Sequence, residues 1–147
     1  MRRAVLTAVA VALAAVAVAV FLVVRQDDEV ASVGDLDRAD CVDAAPFLHG
    51  EQPTLDDLSR ADCDDPHDAE VLLLVDLDAD QAKAYRPVVP DAVCLDALGE
   101  EASAAVSDER LLVAGVADRA RPRAGDTLAC FGFAADGTRL DGTSKPR

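Results

Sequence analysis

The chain has 147 residues, with 28 acidic and 14 basic side chains giving a formal charge of −14, and 51% hydrophobic but only 3% aromatic residues. That length suits one domain and leaves no room for two large ones. The acid excess argues against nucleic acid as a partner, and against docking on anionic lipid through a basic surface.

Charge is distributed unevenly. Residues 1–25 hold three arginines and no acid, so the remaining 122 residues carry all 28 acids against 11 bases. Within that first stretch, residues 4–24 form an uncharged run of eight Ala, eight Val, three Leu, one Phe and one Thr. As a helix at about 1.5 Å per residue it spans about 31 Å, the thickness of a bilayer's hydrocarbon core. A helix apolar on every face needs lipid or a large protein around it, and the rest of this chain is too small and too acidic to bury one. The small-x-small site Ala17-Val18-Ala19, a candidate for signal cleavage, lies inside the apolar run with Val20 to Val24 still to follow, which favours retention as an anchor. Arg2, Arg3 and the terminal amine against Arg25 alone place the amino end in the cytoplasm. The expectation is a cytoplasmic stub and transmembrane helix at 1–25, a tether at 26–33, an extracytoplasmic domain at 34–143 and a tail at 144–147.

A near repeat opens the domain: Leu36-Asp37-Arg38-Ala39-Asp40-Cys41 against Leu58-Ser59-Arg60-Ala61-Asp62-Cys63, five of six positions alike at a spacing of 22. Two short extended segments suit it. Between them, residues 47–57 contain Gly50 and Pro53 and read as a surface loop. Residues 70–77 are a strand-length apolar run after Pro66, expected as a central strand covered on both faces. Residues 79–85 form a helical turn, and Pro87 and Pro90 then interrupt the chain. From Asp91 as N-cap, the spacing of Val93, Ala97, Leu98, Ala102 and Ala105 predicts a helix, weakened by Gly99. Residues 110–117 and 127–134 read as strands, the second with Leu128, Cys130 and Gly132 on one face. Asp136-Gly137 is a turn signal before a short return through Thr138 and Leu140. Strands, one main helix and further strands make an α+β domain with a mainly antiparallel sheet.

Cys41, Cys63, Cys94 and Cys130 all follow the apolar segment, and an even cysteine count outside the cytoplasm reads as a disulfide framework with three pairings open. With Phe47, Tyr85, Phe131 and Phe133 as the only aromatics beyond the apolar segment, the core is built from Leu, Val and Ala, and such staples are needed. Zinc is the competing reading of Cys63 and His67, four residues apart, but neither C-x-x-C nor H-E-x-x-H occurs.

Several of these features together resemble the septum formation domain of actinobacterial envelope proteins. The resemblance runs through Ala39-Asp40-Cys41, then Cys63 leading into Pro66-His67-Asp68-Ala69-Glu70-Val71. It continues with Cys94 on a helix, and with Ala124-Gly125-Asp126-Thr127-Leu128-Ala129-Cys130 before Asp136-Gly137. It covers most of residues 34–143. It implies a membrane-tethered, non-catalytic envelope component linked to division or wall growth, with envelope or divisome proteins as partners and no cofactor. It also implies the pairing of Cys41 with Cys63 and of Cys94 with Cys130. The chain departs from the family in three places: Ala39 stands where relatives carry glycine, Val42 where they carry an aromatic, and Arg119-Ala120-Arg121-Pro122 where they carry tyrosines and a tryptophan.

His67 is the first candidate for a site. With Asp65 and Glu70 it would form a ligand-contacting or pH-sensitive group among carboxylates; the structural alternative has Pro66 and His67 turning the chain into the central strand, the imidazole bonding local backbone. Asp76, Asp78 and Asp80 alternate like calcium ligands, but Gln81 and Pro87 stand where an EF-hand requires glycine and glutamate. No G-x-S-x-G elbow, phosphate loop or dinucleotide fingerprint occurs, so the reading is of a binding or scaffold protein and not an enzyme. The alternative is a sensory module that takes a small envelope ligand or a cation.

Overall fold

A computed structural model describes residues 29–107 and 110–141, with the backbone alone for residues 100–107. The apolar segment at 4–24 and the tail at 144–147 lie outside the described residues. Among those described, no helix is long and apolar enough to cross a membrane.

The core is organised by a strand apolar on both faces. In β5 (Thr127–Ala134), Ala129, Phe131 and Phe133 enter one cluster of buried side chains, while Leu128 and Cys130 enter another on the opposite face. Such a strand has to be covered twice. It pairs with β3 (Ala69–Asp76) on one side and β4 (Leu111–Ala117) on the other, and β1 (Cys41–Asp43) and β2 (Ser59–Ala61) extend the sheet beyond β3. The order is β2-β1-β3-β5-β4, with every neighbouring pair antiparallel. β3 is thus the middle strand of five, as its continuous apolar run requires, and a register shift between Val71 and Leu73 leaves Leu72 as a bulge.

One face is covered by the segment before β1 and by short 3-10 turns, which supply Val30, Val33, Leu36, Phe47 and Leu58. The other is covered by two helices, α1 (Ala79–Ala84) and α2 (Ala92–Ser107), with Tyr85, Val93 and Cys94 packed against Val113 and Leu128. Asp78 caps α1, accepting from the N–H groups of Asp80 (2.9 Å) and Gln81 (2.7 Å), while the Gln81 side chain accepts from the Asp78 N–H. Two disulfides close the structure: Cys41–Cys63 holds the end of β2 to the start of β1, and Cys94–Cys130 staples α2 to β5. The fold is α+β with one antiparallel five-stranded sheet, two helices and the sequential cysteine pairing.

Four expectations need correction. Residues 47–57 are not simply a surface loop: Phe47, on the 3-10 turn Ala45–His49, is 1% exposed, with its ring centroid 4.8 Å from Phe133 and 5.6 Å from Phe131. The turn-forming residues around it are real, but in an aromatic-poor chain a phenylalanine is too valuable as core filler to leave in water. The tether expected over 26–33 ends earlier, because Glu29 bridges Ser59 and both Val30 and Val33 are buried. The helical stripe from Val93 to Ala105 is broken at Gly99 (φ 68°, ψ −164°), and Ala97 is exposed while Cys94 lies inside. The short return after Asp136-Gly137 is a single bridge, in which Leu140 exchanges backbone hydrogen bonds with His67 at 3.1 and 2.7 Å.

Candidate functional site

Of the three residues picked from sequence, His67 and Glu70 are buried and Asp65 is exposed. His67 has no solvent exposure; its Nδ1 lies 3.0 Å from the carbonyl oxygen of Asp65, and its backbone is paired with Leu140. Pro66 delivers it into the first turn before β3, and the ring fills space under the strand. Nε2 has no partner among the described residues. Neighbouring Asp68 is 6% exposed, and its carboxylate accepts from the Ala44 N–H (2.9 Å) and from Arg139 Nε (2.9 Å), while Arg139 also reaches Asp43. The bonds of Asp68 and Arg139 form a polar clamp that ties the residues before β3, the end of β1 and the segment after β5 together. It offers no opening at His67.

The D-x-D-x-D run is divided between two structural tasks. Asp76 Oδ1 accepts from the Thr127 hydroxyl at 3.1 Å, tying β3 to β5, and Asp78 caps α1. Among the described residues no group of three His, Cys, Asp or Glu side chains is disposed to hold a metal ion.

A second buried polar group is Asp91, which the sequence marks as a helix cap and the structure also buries. Asp91, 1% exposed, caps the start of α2 by accepting from the Cys94 N–H at 2.9 Å, while its Oδ2 finds no partner among the described residues. Burial pushes its carboxyl up from the usual range, against the downward pull of hydrogen bonds from the Cys94 and Val93 backbone. The adjoining strand gives this group room with a glycine: a Cβ on Gly115 would stand 3.0 Å from Asp91 Cγ and 3.1 Å from Cys94 Sγ, a tight fit. The Gly115 carbonyl accepts from Tyr85 Oη (2.8 Å) and from Gln52 Nε2 (2.8 Å). Burial first, and the Asp91 charge second, push the Tyr85 phenol up to about 12. It stays a neutral donor at any physiological pH.

Tyr85 also lines a surface opening. A furrow of about 520 Å³ runs between α1 with the turn after it and the loop from β4 to β5. Pro87 forms one wall, Ala120 and Pro122 the other, and Lys83, Arg86 and Arg121 line the opening. A second cavity of about 230 Å³ shares Tyr85, Pro87 and Ala120 with it and is also lined by Gln52, Asp56 and Asp118. Asp118 is itself engaged, accepting from the Val33 N–H (2.7 Å) and the Ser32 hydroxyl (3.0 Å), which moors the segment before β1 to the end of β4. The basic run at 119–123 was visible in the sequence only as a departure from the family, and nothing there linked it to Lys83 and Arg86.

No family model matches the chain, and neither a curated protein nor a solved structure does.

Proposed function

We propose that the chain is a membrane-anchored, non-catalytic binding or scaffold protein whose disulfide-stapled domain lies on the outer side of the cell membrane, with its role in septum formation or envelope growth. The observation that carries this reading is the oxidised state of all four cysteines, Cys41 with Cys63 and Cys94 with Cys130, behind an uncharged apolar run of membrane-spanning length. Disulfides persist in oxidising compartments and are rare in the cytosol. The resemblance to the septum formation domain supports the same placement through its cysteine layout and its Pro-His-Asp-Ala-Glu-Val segment. Burial of His67 favours architecture over catalysis at that residue, since a buried ring enclosed by backbone is not reached by substrate.

The test is made on protein in cells. Non-reducing peptide mapping of the full chain is expected to recover the two cysteine pairs, and proximity labelling from its carboxyl end to mark envelope proteins of the division site. Free thiols in the native protein, or labelling confined to cytoplasmic proteins, overturns the reading.

A further inference from the structure

The furrow above Tyr85 places three cations at one opening with no carboxylate among its lining side chains, in a chain with twice as many acids as bases. We propose that it binds a soluble phosphate ester, the phosphate lying among Lys83, Arg86 and Arg121 and the organic part against the flanking alanines and prolines. The inference rests on the binding reading above and names the chemistry of the ligand.

What sets the furrow apart is that it gathers three cations, from two segments of the chain, at one opening. Three cations elsewhere take carboxylates: Arg60 pairs with Asp40 at 3.2 Å, Arg119 with Asp126 at 3.1 Å, and Arg139 with Asp68 at 2.9 Å. Among the described residues none of the furrow's three cations makes such a pair. Arg86 is nevertheless held in place, since one of its terminal nitrogens donates to the carbonyls of Lys83 (2.8 Å) and Tyr85 (2.6 Å). Those bonds fix the guanidinium without neutralising it, and an anion arriving there meets a charge that is already positioned.

The number of cations and their origin on two segments of the chain favour phosphate over carboxylate. A carboxylate presents two oxygens in one plane and is satisfied by a single arginine fork, whereas a phosphate presents acceptors in several directions and draws donors from more than one side chain. Lys83 and Arg86 approach from α1 and the turn after it, Arg121 from the opposite wall. The remaining lining is apolar, which inorganic phosphate has no use for and an ester does. The surrounding acid excess excludes a long polyanion, which would have to lie across carboxylates on leaving the furrow.

The experiment is an amide NMR titration of the full chain in neutral-detergent micelles, with glycerol 3-phosphate as probe, inorganic phosphate and sulfate at matched ionic strength as comparisons, and phosphatidylglycerol vesicles as a separate arm. Saturable shifts are expected at residues 82–87 and 119–122, weaker with the inorganic ions, and reduced about tenfold in affinity in the double variant Lys83→Gln, Arg121→Gln. Absence of saturation, equal response to sulfate, an unchanged titration in the variant, or binding to vesicles alone each overturns the proposal. The binding reading has its own readout: intact disulfides and envelope labelling with no ester bound would sink the ligand and leave the scaffold, while free thiols would sink the scaffold whatever the titration gives.

Discussion

Ala39 holds a left-handed backbone conformation, φ 73°, while its N–H donates to the carbonyl of Val71 at 2.8 Å. The strain is local and its benefit is tertiary. The Asp40 N–H closes a tight turn on Asp37 at 3.1 Å, and the Asp40 carbonyl then accepts from the Val71 N–H at 2.8 Å, so the turn is clamped to the bulged part of β3. A side chain with a Cβ is disfavoured there by about 1–2 kcal/mol, part of which glycine gives back through the freedom of its unfolded chain. Ala39→Gly is therefore expected to stabilise the domain by about 0.5–1 kcal/mol in urea denaturation. The control is Ala61, the equivalent position in the near repeat, which sits in β2. Ala61→Gly is expected to destabilise by about 0.5–1 kcal/mol. Equal effects of the two substitutions would contradict the conformational asymmetry.

That asymmetry also marks the limit of what the sequence reveals. The near repeat is visible to the eye, yet its copies take different conformations, because β1 begins at Cys41 and β2 has ended by Ala61. Periodicity and apolar runs were enough for β3, β4 and β5, which fall within a residue of their expected limits, because a strand buried on both faces has few ways to hide. Phe47 was misplaced because turn residues around it describe the backbone, and burial is decided by what lies across from it. Lys83 and Arg121 were never associated, since the packing of α1 beside the loop after β4 brings them together and no local pattern encodes that packing. Asp91 was visible as a cap but not as a buried one.

The two disulfides differ in what they hold. Loop-closure entropy gives each about 3–4 kcal/mol, slightly more for Cys94–Cys130 with its separation of 36 than for Cys41–Cys63 with 22. Packing separates them further, because Cys94 and Cys130 are both fully buried between α2 and the sheet, whereas Cys63 is half-exposed at the end of β2. Replacing Cys94 and Cys130 by serine is expected to leave two hydroxyls in an apolar layer and to lower the melting temperature well beyond the loss from the same change at Cys41 and Cys63. Equal melting temperatures for the two double variants would count against the staple of α2 to β5 as the main tie.

Phe47 joins Phe131 and Phe133 in the larger of the two buried clusters. Phe47→Ala is expected to cost about 3–5 kcal/mol, the range for removing a fully buried aromatic, while Leu55→Ala in the same stretch, partly buried, costs less. A change under 1 kcal/mol at Phe47, measured by denaturant titration, would restore the surface-loop reading of residues 47–57.

Asp91 provides a pH-dependent test in which the sign is fixed by burial. Its folded-state carboxyl is pushed above the ordinary 3.8, so the native state holds that proton more tightly than the unfolded chain does. Between the raised folded value and 3.8 the fold therefore gains stability as pH falls, and above the raised value the buried charge is a standing cost. Asp91→Asn keeps an oxygen to accept from the Cys94 N–H and removes the charge. The variant is expected to be at its most favourable relative to the wild type near neutral pH, with the difference narrowing as the medium is made acidic. A carboxylate held by a partner with a lowered pKa would behave in the opposite way, losing its contribution on acidification. Paired urea titrations of the two proteins across the acid range distinguish the cases, because other groups that titrate are common to both and cancel in the difference. A variant less stable than the wild type near neutral pH that gains on it as the medium is made acidic would mean that Asp91 is ionised and well paired in the fold, and that its Oδ2 has found a donor.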